Sequence, residues 1–306
     1  MPDLSHILKL ATESRNQSAH DLDTKSALEI ATLMNAEDTK VATAIQKALP
    51  HIARVIDAAA AAISSGGRVI YVGAGTSGRL GALDASECPP TFGVSYDTVQ
   101  YVMAGGAAAL GAAAEANEDS RELGERDIAA RNPGAKDLVV GIAASGRTPY
   151  TIAALEFARR AGSKTACVVC NTGSALADAV ELPIEVEVGA EVVSGSTRLK
   201  AGTAQKLVLN MITTGAFTRL GYIYDNLMVN VKLSNEKLVE RGIGILQQIT
   251  AADRTSAERA LRDAENHVPT ALIMLSRGVS AQQARLRLSA SNGNVRRAMH
   301  AASIES

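Results

Sequence analysis

Tryptophan is absent from this chain, and aromatic residues fill only 3% of its 306 positions. Its core must therefore be built from Ala, Val, Leu and Ile. Cysteine is equally scarce, and 3 residues cannot form a disulfide framework. Cys167 and Cys170 make a C-x-x-C inside "KTACVVC", which reads as a buried strand. Residues three apart on a strand face opposite sides, so the pair serves one metal or one disulfide poorly. The 5 histidines (His6, His20, His51, His267 and His300) are scattered outside every motif, which speaks against a histidine metal site or triad. There is no basic tail or stripe, and the formal net charge of -1 speaks against a nucleic-acid partner. No run reaches the roughly 18 apolar residues that would cross a bilayer. The opening "MPDLSHILKLATESRNQ" lacks the basic start and small-residue cleavage site of a secretory signal. A cytoplasmic protein without a membrane partner is the expectation.

What is present is periodic. From Ser26 to Ser64 apolar residues recur at three and four, as in a helix that Pro50 should kink or divide. The period then shortens. "RVIYV", "VQYVMAG", "DLVVGIAAS", "KTACVVC" and "LPIEVEV" are β-branched runs separated by helical stretches. Apolar on both faces, they predict strands of a central sheet covered by helices. The fold class is α/β: a doubly wound, mostly parallel five-stranded sheet. We divide the chain into N-terminal helices over 1–65, the sheet domain over 66–245, and a C-terminal region of three short helices over 246–306. In that last region "TSAE" and "VSAQ" both fit a capping box at a helix start.

Three turns carry candidate chemistry. "GAGTSGRLGALDASECPPTF" (73–92) satisfies G-x-G-x-x-G between a strand and a helix starting near Gly78. The next strand, "VQYVMAGGAAA", ends without the acid that would hold a ribose, so a dinucleotide is disfavoured. Thr76 and Ser77 also put hydroxyls where a pyrophosphate wants bare backbone. "AASGRTPY" repeats the grammar, with Ser145, Gly146 and Thr148 ahead of a helix begun at Pro149. "VVSGSTRLKAG" supplies Ser194, Ser196 and Thr197 before a third helix. Free N–H groups at a helix start bind anions, and hydroxyls add donors. One such turn would be simple capping. Three on one sheet favour a phosphosugar pocket.

Two acids stand out nearby. Glu87 lies before Pro89-Pro90, which should stop its helix. The negative end of a helix disfavours a carboxylate's ionised form, which suits a general acid. Glu115 and Glu118 in "AAAEANEDSRELGERD" are three apart, hence on one face if that segment is helical. By themselves these acids also fit a solvated helix end and a solvated acidic face.

Together "GAGTSGRLGALDASECPPTFG", "VVGIAASGRTPY" and "GAEVVSGSTRLKAGTAQKLVLNM" closely resemble the N-acetylmuramic acid 6-phosphate etherases, which are built on a sugar isomerase (SIS) domain. "TESRN" and "NLMVNVKLSNEKL" fit as well, so the resemblance spans nearly the whole chain. It implies a cytoplasmic, cofactor-free homodimer with sites near the subunit interface. The implied reaction splits the D-lactyl ether of a phosphosugar with water in cell-wall recycling. By the same resemblance Glu87 is the proton donor and Glu118 the base, and Glu115 contacts the sugar. Gly75, Thr76, Ser77, Ser145, Gly146, Thr148 and Ser196 complete the implied substrate site. Ala116 and Asn117 depart from the family's Gly and Ala. The alternatives are an aldose–ketose phosphosugar isomerase and a non-catalytic sensor like the glucokinase regulatory protein.

Overall fold

The computed structural model describes residues 11–112 and 117–300. Contacts divide the chain into two compact units, Met1–Ser86 with Asp97–Thr213 and Glu87–Tyr96 with Thr214–Ser306. The first unit holds all five expected strands: β1 (Val69–Gly73), β2 (Val99–Met103), β3 (Leu138–Ala143), β4 (Lys164–Val169) and β5 (Leu182–Glu185). Every pairing is parallel, in the order β2-β1-β3-β4-β5. β1 and β3 are buried at every position, which explains their unbroken apolar runs. The sheet's helices include α1 (Ala27–Ser64), α2 (Gly75–Phe92), α3 (Arg121–Ala129), α4 (Pro149–Arg160), α5 (Ala175–Asp178) and α6 (Lys200–Leu220).

Prolines do less than expected here. α1 runs 38 residues through Pro50 without division. Pro50 is exposed, and so is Gln46, whose carbonyl loses its N–H donor to the ring and can turn to water. The apolar stripe Val41, Ile45, Ala48, Ile52, Val55 continues unbroken on the buried face. Likewise α2 starts at Gly75 rather than Gly78 and carries Pro89 and Pro90 inside its last turn. There they remove only the donors to Ala85 and Ser86, and the Gly93 N–H still reaches the Pro89 carbonyl at 2.9 Å.

The second unit packs α7 (Glu236–Thr250), α8 (Arg254–Asp263), α9 (Val268–Arg277), α10 (Ala281–Ala290) and α11 (Val295–His300). Leu246, Leu261, Leu272 and Val295 lie in one shared core. Among the described residues, 246–300 hold the end of α7 and the four short helices α8 to α11. Ser280 and Gln283 form a capping box, one residue further on than "VSAQ" itself spans. The other start differs: Asp253 caps α8, because its carboxylate accepts from Ser256 N–H one turn before the "TSAE" acid could act.

Inside the first unit the start of α6 is pinned by buried charge. The Lys200 ammonium lies 2.7 Å from Glu37 of α1, with side-chain exposures of 3% and 4%. Burial opposes ionisation of Glu37, but hydrogen bonds from Lys200, Lys40 and Asn16 outweigh it and hold the carboxyl down at about 2. Glu37→Gln strands the buried ammonium, and the expected cost is about 3–5 kcal/mol, read as a lower urea midpoint. A depressed pKa stabilises above the unfolded value and is lost as pH falls through the folded one. The wild-type advantage over Glu37→Gln should thus be full at neutral pH and shrink between about 4.5 and about 2.

Candidate active site

From β1 and β3 the chain winds outward in opposite directions, so the crevice at their carboxyl ends is the switch point where such sheets bind ligands. A cavity of about 320 Å³ opens there. Its walls are Ala74–Ser77 after β1, Ile142–Ser145 at the end of β3, and Thr148 before α4. Glu13, Arg79, Glu118 and Thr197 complete it. Two larger hollows, of about 650 and 660 Å³, lie along β2 and α3 and between residues 15–23 and Val192–Ser194.

Gly75, Thr76, Ser77, Glu118, Ser145 and Thr148 are thus brought together around one cavity. Glu118 is not on a helix. It sits in a turn before α3, held by its carbonyl, which accepts from Tyr150 N–H at 3.0 Å. Its carboxylate reaches the first residue of α2, where a Cβ on Gly75 would lie 2.9 Å from Oε1. Gly75 has φ +52°, so both backbone and space call for glycine. An anion at a helix start is favoured by the free N–H groups and the dipole. Arg79, one turn into α2, donates to the carbonyls of Ala109, Leu110 and Ala112.

Other candidates stand elsewhere. Gly146 does not line the cavity. It has φ +67°, and the Ser174 hydroxyl occupies the place of its Cβ, so it shapes the turn. Ser196 also lies outside, its N–H bonded to the Val193 carbonyl. Glu115 falls outside the described residues. Glu87 is exposed on α2, twelve positions after Gly75, or about 18 Å of helix at 1.5 Å per residue. It does not line this cavity, and it sits more than a turn before the helix end rather than at it. Asp84 is buried inward, accepting from Tyr71, Asn210 and Thr213. Burial raises its pKa against those donors.

Two lining residues escaped the sequence reading, Glu13 and Arg79, and the third hydroxyl turn contributes Thr197 in place of Ser196. Thr197 belongs to the third hydroxyl turn, whose Ser194 is spent on the carbonyls of Glu13 and Ser14. That turn's helix has no N–H groups to spare at its start. Buried Glu191 accepts from Lys200 N–H and Ala201 N–H, both at 2.9 Å. Burial lifts Glu191 above the ordinary carboxylate range despite these donors. Thr148, in contrast, makes no capping bond to α4, so its hydroxyl is available to a ligand. Ser77 donates to Gln205 Oε1 at 3.0 Å, while buried Gln205 Nε2 has no hydrogen-bond partner among the described residues. Turning that amide over would let Nε2 donate to Ser77 and release the hydroxyl proton toward a bound anion. Cys167 and Cys170 are buried, and burial pushes both thiols up to about 12, so neither is a thiolate at neutral pH.

The glucokinase regulatory protein N-terminal SIS domain matches residues 51–159, and the SIS domain matches 126–215. Over 290 residues the chain is 52% identical to the N-acetylmuramic acid 6-phosphate etherase of Serratia proteamaculans, covering 95% of this chain and 98% of that one. This chain belongs to the N-acetylmuramic acid 6-phosphate etherase family. The etherases of Cronobacter sakazakii (51% identity, 95% and 98% coverage) and Aeromonas hydrophila (49%, 97% and 99%) agree. Among the described residues no helix is long and apolar enough to cross a membrane.

The cavity's geometry predicts how this family member holds an anion. Ser145→Ala and Thr148→Val should each weaken binding of inorganic phosphate at least about tenfold, since a hydrogen bond to a charged group contributes about 1.5–3 kcal/mol. Ser196→Ala should leave it unchanged. Calorimetric titration of the three variants checks this, and an equal loss in all three contradicts the assignment.

Proposed function

We propose that this chain cleaves the D-lactyl ether of N-acetylmuramic acid 6-phosphate, giving N-acetylglucosamine 6-phosphate and D-lactate within the cytoplasm. One observation carries the reading beyond kinship: a carboxylate, Glu118, shares a small cavity with the hydroxyls of Ser145, Thr148 and Thr197. The phosphate belongs at the 145–148 turn. Glu118 already occupies the start of α2, where a second anion would be repelled, and Glu191 already fills the start of α6.

An unactivated alkyl ether resists water, but the open-chain sugar offers a route round direct displacement. Its C1 aldehyde acidifies the C2 proton, and the lactyl oxygen on C3 lies β to that carbonyl. Glu118 takes the C2 proton, and the electron pair moves into the C1 carbonyl. The C3–O bond then breaks, and an acid protonates the departing lactate. Water adds at C3 and a proton returns to C2. One carboxylate must be ionised and the other protonated for this sequence.

Glu87 is that acid, and it acts in the cavity of a second copy in a homodimer. Its exposure and its distance along α2 from Gly75 support this reading. Wild-type protein in D₂O should release D-lactate and a product carrying deuterium at C2. Glu118→Gln should abolish both. Mixing inactive Glu87→Gln and Glu118→Gln chains separates the two arrangements. If Glu87 crosses to the other copy, hybrid dimers hold one intact site, and a statistical mixture recovers about a quarter of wild-type activity. If Glu87 serves its own chain, the mixture stays inactive. Absence of lactate release from wild type would overturn the function itself.

A further inference from the structure

The mechanism above begins from an open-chain sugar, yet a hexosamine phosphate in water is almost wholly cyclic. Opening the ring moves a proton from the C1 hydroxyl to the ring oxygen, and neither Glu118 nor Glu87 has been given that task. We propose that Glu13 carries this proton, an assignment that rests on the etherase reading of the same cavity.

Among the described residues lining the cavity, only Glu13, Arg79 and Glu118 are ionisable. Arg79 keeps its proton and is engaged with three backbone carbonyls. Among the described residues Glu13 is therefore the second acid–base group beside Glu118 at this site. It reaches the cavity beside the 195–197 turn, where a Cβ on Gly195 would lie 3.0 Å from Glu13 Oε2, whereas Glu118 stands beside Gly75. Two anchoring points suit two tasks. The base at C2 must stand above the carbonyl plane so that the breaking C–H bond overlaps the π system. A carboxylate passing a proton between the two oxygens on C1 approaches along the ring edge.

The segment that bears Glu13 is fastened on both sides. Thr12 is fully buried; its hydroxyl accepts from Asn171 at 3.1 Å, and Asn171 also donates to the carbonyl of Ala144 in the cavity wall. The Thr12 carbonyl accepts from Gly195 N–H at 3.3 Å. The Ser194 hydroxyl donates to the Glu13 carbonyl at 2.9 Å, and Asn16 donates to the Ala190 carbonyl at 3.1 Å. The backbone around half-buried Glu13 is thus tied to two segments that border the cavity, Asn171 and the loop of residues 190–197.

In the step itself, the Glu13 carboxylate accepts the proton of the C1 hydroxyl. The released O–H electron pair forms the C1 carbonyl, and the bond from C1 to the ring oxygen breaks. The ring oxygen then takes the proton back from Glu13. No atom or charge is gained or lost, and Glu13 ends as it began.

Ring opening can be read without the ether chemistry, because opening and reclosing interconverts the two anomers of N-acetylglucosamine 6-phosphate. Magnetisation-exchange NMR on that sugar phosphate should show wild-type protein accelerating the exchange. Glu13→Gln should lower that acceleration at least tenfold, since positioned proton transfer contributes about 10²–10⁴-fold. It should still bind the sugar phosphate within about threefold by calorimetry, and Glu13→Asp should restore part of the exchange. Glu118→Gln should separate the steps, losing lactate release while anomer exchange survives. Anomer exchange in Glu13→Gln as fast as in wild type would overturn the assignment. So would lactate release by a wild-type protein that does not speed anomer exchange. Loss of sugar-phosphate binding in both Glu13→Gln and Glu13→Asp would make the residue a structural support and equally overturn it. Failure of wild type to release lactate would instead count against the etherase reading.

Discussion

The buried carboxylate of Glu191 is the constraint on which the site's arrangement depends. It accepts the first two N–H groups of α6, and the Lys200 ammonium behind them is paired with Glu37 of α1. Burying that much charge is tolerable only when each group finds its partners. The start of α6 is therefore held in one place, and so is the loop of residues 190–197 that leads into it. That loop presents Thr197 to the cavity and grips the segment bearing Glu13.

The same arrangement allocates the sheet's three helix starts. A helix start attracts whatever anion is nearest, and here two of the three anions come from the protein. Glu191 takes α6 and Glu118 takes α2. What is left for a ligand is the turn before α4, where Thr148 spends nothing on capping. In the proposed reaction, charge inside the protein directs the phosphate to one end of the cavity and keeps a carboxylate facing the other.

Much of this was legible in the sequence, and the gaps have physical causes. All five strands could be read because a parallel sheet covered on both faces needs continuous β-branched runs. Ser145 and Thr148 were legible because strand, hydroxyl turn and proline-started helix form one local pattern. Helix ends near prolines were not, since Pro50 costs little on an exposed face and Pro89 and Pro90 cost little in a last turn. Glu191 caps α6 from nine residues upstream, beyond any capping box, so no local rule detects it. Glu13 stood in plain view within "TESRN", yet its meaning depends on contacts with residues more than 150 positions away. Nothing local marked how Glu118 reaches the cavity, because the turn before α3 that carries it is held by the backbone of Tyr150, well along the chain.

The strap that carries Glu13 bears on how the protein is made. Its partners at Ala190, Ser194 and Gly195 emerge from the ribosome some 170 to 180 residues after the strap itself. Contacts so distant along the chain bear a large loop-closure cost and form slowly. The sheet can assemble strand by strand during synthesis, but the strap must wait for the loop before α6. The earliest-made part of the cavity is thus the last to be put in place, and a nascent chain that ends between Glu185 and Gly195 holds all five strands but not the strap's full set of partners.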